Sequence, residues 1–361
     1  MFKQPLRDFL YDLREIGIKP NINGERYIIV KAISNDRWHF LPLKPSAAFR
    51  SSLQIIQPEG IALSLLKFLV KLLSYFSLQR IFPLKSIFLQ NQKTLRQINF
   101  DEIKYLSFFS GTSSPHRKTT IEFIDKNGKI LGFLKLTRSK KVYKLISKEI
   151  KTIKFLSKYR WENFAIPRIK NYKLSSRVTW LYNDTINLEK AEFKYYLTDL
   201  HLKALFEIMK KTSSLLKREN VENIYEKINI LYRFLNSNWI KRIDTSIEIL
   251  ELNKFDLPTC LAHGDFKPSN LLIEQQKLYI FDWEYSSNSL PYFYDLITFI
   301  ISTNKEKSVK EIFLKIIKSI KRFNLKLDKK TTKKLILFSL LEKSFFFLER
   351  NNSQTQSNNL F

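Results

Sequence analysis

Hydrophobic and polar residues alternate with a period of two in several short stretches of the first half of the chain, which predicts strands. Residues 26–33 and 37–43 are the first two, with Ser34-Asn35-Asp36 as the turn between them. Residues 51–56 are expected as a third, and Pro58 and Gly60 then break the pattern. Over 61–82 the period changes. Ser64, Lys67, Lys71, Ser74 and Ser77 recur every three or four residues among Leu, Phe, Val and Ile, so the segment reads as a helix with one polar stripe. Two readings of that helix stay open. It is an interfacial membrane helix with its lysines towards lipid headgroups, or a helix packed against the body of the protein.

Strand patterning returns at 105–109 and 119–124, which pair across the loop Ser110-Gly111-Thr112-Ser113-Ser114-Pro115-His116. Asp125-Lys126-Asn127-Gly128 is a turn signal, and 130–136 is the next strand. A helix over 142–159 follows, with Val142, Leu145, Ile146, Ile150, Ile153 and Leu156 as its apolar positions. Residues 166–172 and 177–182 complete a five-stranded sheet. Beyond about residue 187 the pattern is mainly helical, at 193–214, 221–235 and 240–252. A break over 256–270 contains two prolines, and 271–273 with 278–281 form a short hairpin. Helices then run to about 350, and the Asn- and Gln-rich 351–361 reads as a flexible tail.

The chain has 361 residues, enough for two lobes and an additional piece. Hydrophobic residues make up 44%, which excludes a wholly disordered chain. Cys260 is the one cysteine, so internal disulfides and Cys-rich zinc sites are excluded, and the four histidines are too scattered for a His cluster. Lys and Arg outnumber Asp and Glu by 62 to 34, a formal charge of +28. Such a balance attracts nucleic acid, anionic lipid or an acidic substrate. Abundant Lys, Ile, Phe and Asn together also fit a composition bias across a genome. The start of the chain has no signal-peptide pattern and no window offers an ordinary membrane span, so a cytoplasmic protein is the expectation.

The stretch that carries chemistry is Leu261-Ala262-His263-Gly264-Asp265-Phe266-Lys267-Pro268-Ser269-Asn270, followed by Phe281-Asp282-Trp283-Glu284. Asp265 and Asn270 share one short loop. The hairpin after them returns its end near its start, so Asp282 can face Asn270. One amide oxygen and one carboxylate can then hold a hard divalent ion against phosphates. Asp265 is left to accept a proton from an attacking hydroxyl, and His263 can hold the loop by hydrogen bonding. Upstream, Lys135 lies in a strand among apolar neighbours and needs solvent or an anion. Glu149, 14 residues on in the next helix, can pair with it and set the ammonium against nucleotide phosphates. The loop that holds Gly111 and Ser113 can cover those phosphates with backbone N–H groups and hydroxyls.

These residues make the chain similar to the aminoglycoside phosphotransferase and choline kinase-like family, which has the two-lobed protein kinase-like fold. The family pattern of His-Gly-Asp, then Pro and Asn, then Asp-Trp or Asp-Phe after a hairpin is matched by His263-Gly264-Asp265, Pro268, Asn270 and Asp282-Trp283. The resemblance runs from about 105 to 325. It implies Asp265 as the catalytic base, Asn270 and Asp282 as Mg²⁺ ligands, Lys135 with Glu149 as the ATP anchor, and Asp295 as a brace of the catalytic loop. The loop with Gly111 has one glycine where protein kinases use three. Lys267 stands where many small-molecule kinases of the family carry His or another residue.

The expected architecture is α+β: residues 1–100 as an accessory α/β module of unknown role, 101–187 as a β-rich nucleotide-binding lobe with one helix, 188–350 as a helical lobe with the acceptor pocket, and 351–361 as the tail. The expected activity is ATP- and Mg²⁺-dependent phosphorylation of a small-molecule hydroxyl, on a sugar or surface-glycan intermediate among other alcohols. A polycationic aminoglycoside suits a +28 chain less well. If the 61–82 helix touches an anionic membrane, the protein sits peripherally at its inner face. The alternatives are a nucleotide-binding regulator without turnover and a charge-driven nucleic-acid-binding protein. The second lacks a stacking platform beside Arg138, Lys140, Lys141 and Lys144.

Overall fold

In the computed structural model the chain forms two compact units, residues 1–154 with 167–191 and residues 155–166 with 192–361. The structure describes residues 4–31, 37–56, 61–80, 85–91, 102–111, 114–233, 235–254 and 256–355. The turn at Ser34-Asn35-Asp36, the break at Pro58 and Gly60, and Ser113 lie outside the described residues.

The first unit is built on one eight-stranded sheet. Its elements are α1 (Gln4–Glu15), β1 (Ile18–Lys31), β2 (Trp38–Pro42), α2 (Ser46–Ser52), α3 (Ile61–Tyr75), β3 (Ser86–Asn91), β4 (Tyr105–Ser110), β5 (Thr119–Ile124), β6 (Ile130–Thr137), α4 (Lys140–Leu156), β7 (Ile169–Lys173) and β8 (Thr179–Asp184). The strands lie in the order β3-β1-β2-β4-β5-β6-β8-β7, each antiparallel to its neighbours. The five strands expected from 105 onwards are all present, but they do not end the sheet. β2 pairs onto β4 through His39–Phe109 and Phe40–Phe108, and β1 and β3 extend the sheet further. Residues 1–100, expected as a module of their own, supply three strands and α1 to the same sheet. The physical reason is that β4 would otherwise offer an open row of N–H and C=O groups. Residues 51–56, expected as a strand, close α2 and form a 3₁₀ turn over Leu53–Ile55. There the Ser51 and Ser52 hydroxyls donate to the Ala47 and Phe49 carbonyls, local bonds that hold helical backbone.

Alternation along the strands divides the core between the two faces. Leu6, Phe9, Leu10 and Leu13 of α1 pack on Tyr27, Phe40, Phe108, Ile121, Leu134 and Tyr182. On the other face Phe49 of α2 packs with Ile28, Leu41 and Leu43, and Val142, Ile146 and Ile150 of α4 pack with Leu181. The turn Asp125–Gly128 forms as expected. Its Asp125 carboxylate accepts the N–H groups of Asn127 and Lys129, and Gly128 takes a φ of +88° that glycine adopts readily.

One carboxyl lies fully inside this sheet. Glu122 of β5 is 0% exposed, accepts the Ser107 hydroxyl, and has its Oε1 without a hydrogen-bond partner among the described residues. Burial pushes it up to about 8, while the Ser107 bond pulls the other way. The folded chain therefore keeps a proton that the unfolded chain releases near the ordinary value of 4.5. This contribution to stability is present below the unfolded value and is lost as pH rises through the folded one. Glu122→Gln cannot ionise. It is expected to flatten the fall in unfolding free energy between about pH 5 and 8, where wild type loses up to about 1.4 kcal/mol per pH unit from this group. Urea unfolding across that range checks it, and equal slopes in the two proteins would refute it.

The second unit contains α5 (Asp199–Thr212), α6 (Arg218–Tyr232), α7 (Ser237–Leu250), β9 (Pro258–Ala262), β10 (Leu271–Glu274), β11 (Lys277–Ile280), β12 (Ser287–Pro291), α8 (Tyr294–Thr303), α9 (Val309–Lys321) and α10 (Lys329–Thr355). Thr198 and Ser308 start α5 and α9 as N-caps, each with a capping box. β9 lies between a two-residue strand at Ser214–Leu215 and β12, while the β10–β11 hairpin pairs with Phe164–Ala165. The segment expected as a tail from 351 is helical as far as Thr355, the end of α10, and 356–361 lie outside the described residues. The expected α+β class is observed, a sheet-rich unit and a mainly helical one. Among the described residues no helix is long and apolar enough to cross a membrane.

Candidate active site

The helical unit holds the His263–Asn270 segment on the loop between β9 and β10. The chain turns sharply at Gly264, where φ is +85°. A Cβ there would lie 2.3 Å from the Tyr285 carbonyl oxygen, so this close approach of two backbone segments requires glycine. Asp295, in the first turn of α8, accepts the His263 N–H at 2.6 Å and the Gly264 N–H at 3.0 Å. Burial raises its carboxyl, and the opposing pulls come from His263, the two amides and Lys343. Both amides are buried in a loop that has no strand to pair with, so Asp295 supplies the acceptors the backbone lacks.

His263 ties the same loop to the hairpin. Its Nε2 donates to the Phe281 carbonyl at 2.9 Å, and its Nδ1 accepts the Asp265 N–H at 3.2 Å. Its ring packs on the fully buried Trp283, with centroids 4.8 Å apart. Phe266, the next residue along, is also fully buried, against His201 and Phe299. The core therefore grips the loop on both sides of Asp265.

Asp265 and Asn270 are brought together. A 3₁₀ turn over Pro268–Asn270 returns the chain, and Asn270 Nδ2 donates to the Asp265 carbonyl at 2.8 Å and to its Oδ2 at 3.2 Å. Lys267 Nζ lies 2.6 Å from the same Oδ2. Oδ1 of Asp265 has no hydrogen-bond partner among the described residues, so one carboxylate oxygen is fixed and the other is open. The Asn270 amide group is turned so that its carbonyl oxygen points away from Asp265, with only a long 3.3 Å contact from Ser269. The hairpin closes as expected: Leu271 pairs with Ile280, and the Phe281 N–H donates to the Asn270 carbonyl at 3.2 Å. Asp282 follows directly, in a left-handed conformation with φ +70°. A non-glycine residue held there is locally strained, and the hairpin before it and the 3₁₀ turn over Trp283–Tyr285 after it keep it in place.

Lys135 and Glu149 meet in the sheet unit. Lys135 Nζ lies 2.6 and 2.7 Å from the two carboxylate oxygens of Glu149. The strand places the lysine on the face that α4 covers, and Glu149 on α4 is 0% exposed. A carboxylate this deep depends on its partner. Lys135→Met is expected to destabilise the protein by about 3 kcal/mol, and adding Glu149→Leu should recover most of that loss. Equilibrium unfolding of both variants checks this, and a double variant as weak as the single one would show the pair is not coupled.

Gly111 ends β4, and its N–H donates to the Lys118 carbonyl at 2.7 Å. A Cβ would meet that oxygen at 2.9 Å, so the glycine lets the two sides of the loop close. Its amide is committed within the loop.

The Lys267–Asp265 ion pair is the feature sequence reading passed over. Lys267 was visible two residues after Asp265, but spacing alone does not show which way a loop side chain turns. The buried Glu207 was passed over as well. Its carboxylate accepts the N–H groups of Glu162 and Asn163 and binds Lys211, which holds the segment beside the short strand at Phe164.

Residues 204–311 match the model of the phosphotransferase enzyme family. That stretch contains the whole loop, the hairpin and Asp295, and it bears out the resemblance seen in the His-Gly-Asp pattern. No curated protein sequence matches the chain. Among solved structures, a mutant aminoglycoside 2′-phosphotransferase IIIa in its GDP complex is 14% identical, with 73% of this chain and 90% of that one covered, at a TM-score of 0.47. The choline kinase LicA from Streptococcus pneumoniae is 15% identical over 66% and 83% of the two chains, with a TM-score of 0.42. A spectinomycin phosphotransferase with ADP and spectinomycin is 17% identical over 73% and 89%, with a TM-score of 0.45.

Proposed function

We propose that the protein is an ATP- and Mg²⁺-dependent phosphotransferase that phosphorylates a hydroxyl of a small molecule. The observation that carries this reading is the state of Asp265. Its Oδ2 is held by Lys267 and Asn270, its Oδ1 is open, and the loop around it is braced by Asp295 and His263 inside the stretch that matches the phosphotransferase family. A carboxylate fixed in this way is suited to accept a proton from an acceptor hydroxyl.

In the reaction, Asp265 takes the proton as the acceptor oxygen bonds to the γ-phosphorus. The bond from that phosphorus to the bridging oxygen breaks, and ADP leaves. The Asn270 carbonyl oxygen and the Asp282 carboxylate offer only oxygen donors, a set that fits a hard divalent cation. Bound there, the cation would offset charge on the nucleotide phosphates. Lys135, oriented by both oxygens of Glu149, would bind phosphate oxygens as a fixed point charge.

A formal charge of +28 argues against a polycationic acceptor and favours neutral or anionic alcohols, with sugars and surface-glycan intermediates foremost. The test is ADP release with Mg²⁺ against a panel of sugars, amino sugars, choline-like alcohols and aminoglycosides. Acceptor-dependent release that stops on chelation supports the reading. Failure to bind ATP at all, with or without Mg²⁺, would overturn it.

A further inference from the structure

The α3 helix is amphipathic in the inverse sense to an ordinary surface helix. Leu65, Phe68, Leu69, Leu72 and, just past its end, Phe76 recur at i, i+3, i+4, i+7 and i+11 and so form one stripe. All five are exposed, Phe68 at 61% and Phe76 at 71%. Part of the polar stripe is on the inner side: Lys67 and Lys71 are half-buried and Ser74 is buried, while Ser64 and Ser77 are exposed. Ser74 is fully buried, and its carbonyl accepts Arg50 Nη1 at 3.2 Å. Lys67 Nζ donates to the Ile56 carbonyl at 2.7 Å. Beyond the helix, the fully buried Gln79 donates to the Leu43 carbonyl and to Ser46 Oγ. Polar anchors hold the helix on the sheet unit, Val70 adds a partial apolar contact, and the Leu/Phe stripe faces outward. A contiguous apolar stripe presented in this way marks a docking surface.

The charge around the stripe narrows the choice of occupant. Residues 61–91 contain Lys67, Lys71, Arg80 and Lys85 and no Asp or Glu. Lys71 is close enough to Lys67 to lower its proton affinity, on top of the larger effect of burial. A second copy docked on the same face would set these like charges against each other. A bilayer with anionic headgroups supplies the opposite charge along the flanks and hydrocarbon for the stripe. We infer that α3 is an interfacial helix that seats the protein on an anionic lipid surface, with the stripe Leu65–Phe68–Leu69–Leu72–Phe76 entering the acyl boundary. The inference stands on α3 alone and does not require phosphotransfer.

The experiment is flotation of the full chain with vesicles of phosphatidylcholine alone and of phosphatidylcholine with phosphatidylglycerol. Binding to the anionic vesicles is expected to exceed binding to the neutral ones and to weaken with salt. The variant Leu65→Gln/Phe68→Gln/Leu72→Gln changes exposed positions only and is expected to bind about tenfold less or weaker still, with its thermal unfolding little changed. A second readout needs no loss of apolar residues elsewhere. Cys260 is buried, so a polarity-sensitive dye on Phe68→Cys reports this position selectively, and a blue shift on anionic vesicles is expected. The inference is overturned by absence of flotation with either vesicle, by equal binding of the Gln variant, by a dye that stays in water, or by a dimer that the Gln variant abolishes.

Discussion

Asp265→Asn is expected to lower acceptor-dependent turnover by about 10³-fold or more, with little change in stability. The substitution keeps the shape of the side chain and its contact with Asn270, but the amide cannot take a proton. It also leaves Lys267, 2.6 Å from the same oxygen in wild type, facing a group that carries no charge. Nucleotide affinity should change far less than turnover, because the residues proposed to hold the nucleotide are others: Lys135, oriented by Glu149, for the phosphates, and Asn270 and Asp282 for the cation. Calorimetry for ATP and a coupled assay for ADP separate the two effects. A variant that retains turnover within about tenfold of wild type would remove Asp265 from the role of base.

Asp295→Ala is expected to cost about 3–5 kcal/mol of stability, by leaving two buried amides of the catalytic loop without an acceptor. The amides are those of His263 and Gly264, and neither has a strand partner to turn to. Asp295→Asn keeps one acceptor oxygen and should recover part of the loss. Its thermal unfolding should fall between that of wild type and Asp295→Ala. Turnover should fall in the same order if the brace acts through the position of Asp265. The brace reading fails if the Ala variant unfolds with wild type, or if Asn is no better than Ala.

The core of the site was legible in the chain because its parts are local. His263, Gly264, Asp265 and Asn270 lie within eight positions of one another, and the hairpin that follows brings Asp282 back by short-range pairing. Lys135 and Glu149 were legible for a related reason. A strand and the helix directly after it pack together, and a lysine among apolar neighbours needs an anion. The Lys267–Asp265 bond was not legible, since a loop backbone with φ and ψ outside any repeat gives side chains no period to follow.

Sheet membership was the larger gap. The strands at 26–33 and 37–43 were recognisable from alternation, but alternation does not say which strand lies beside which. Only the folded chain shows β2 closing the edge of β4, so that residues first set apart as a module extend the sheet of the next one. The 51–56 segment was misplaced for a similar reason, because serine hydroxyls bonding back to the Ala47 and Phe49 carbonyls favour helix where the hydrophobic pattern alone suggests strand.

By itself the sequence determined the α+β class, the loop and hairpin that carry Asp265, Asn270 and Asp282, and the amphipathic period of the 61–75 helix. Each depends on contacts between residues close in the chain, where spacing dictates geometry. The tertiary structure alone decided the eight-stranded sheet, the two amides by which Asp295 grips the loop, and the outward turn of the apolar side of α3. A helical period states that a helix has two faces. Which face meets protein depends on the partners waiting for it, and here buried Ser74, the Ile56 carbonyl and the Arg50 guanidinium claimed the polar one.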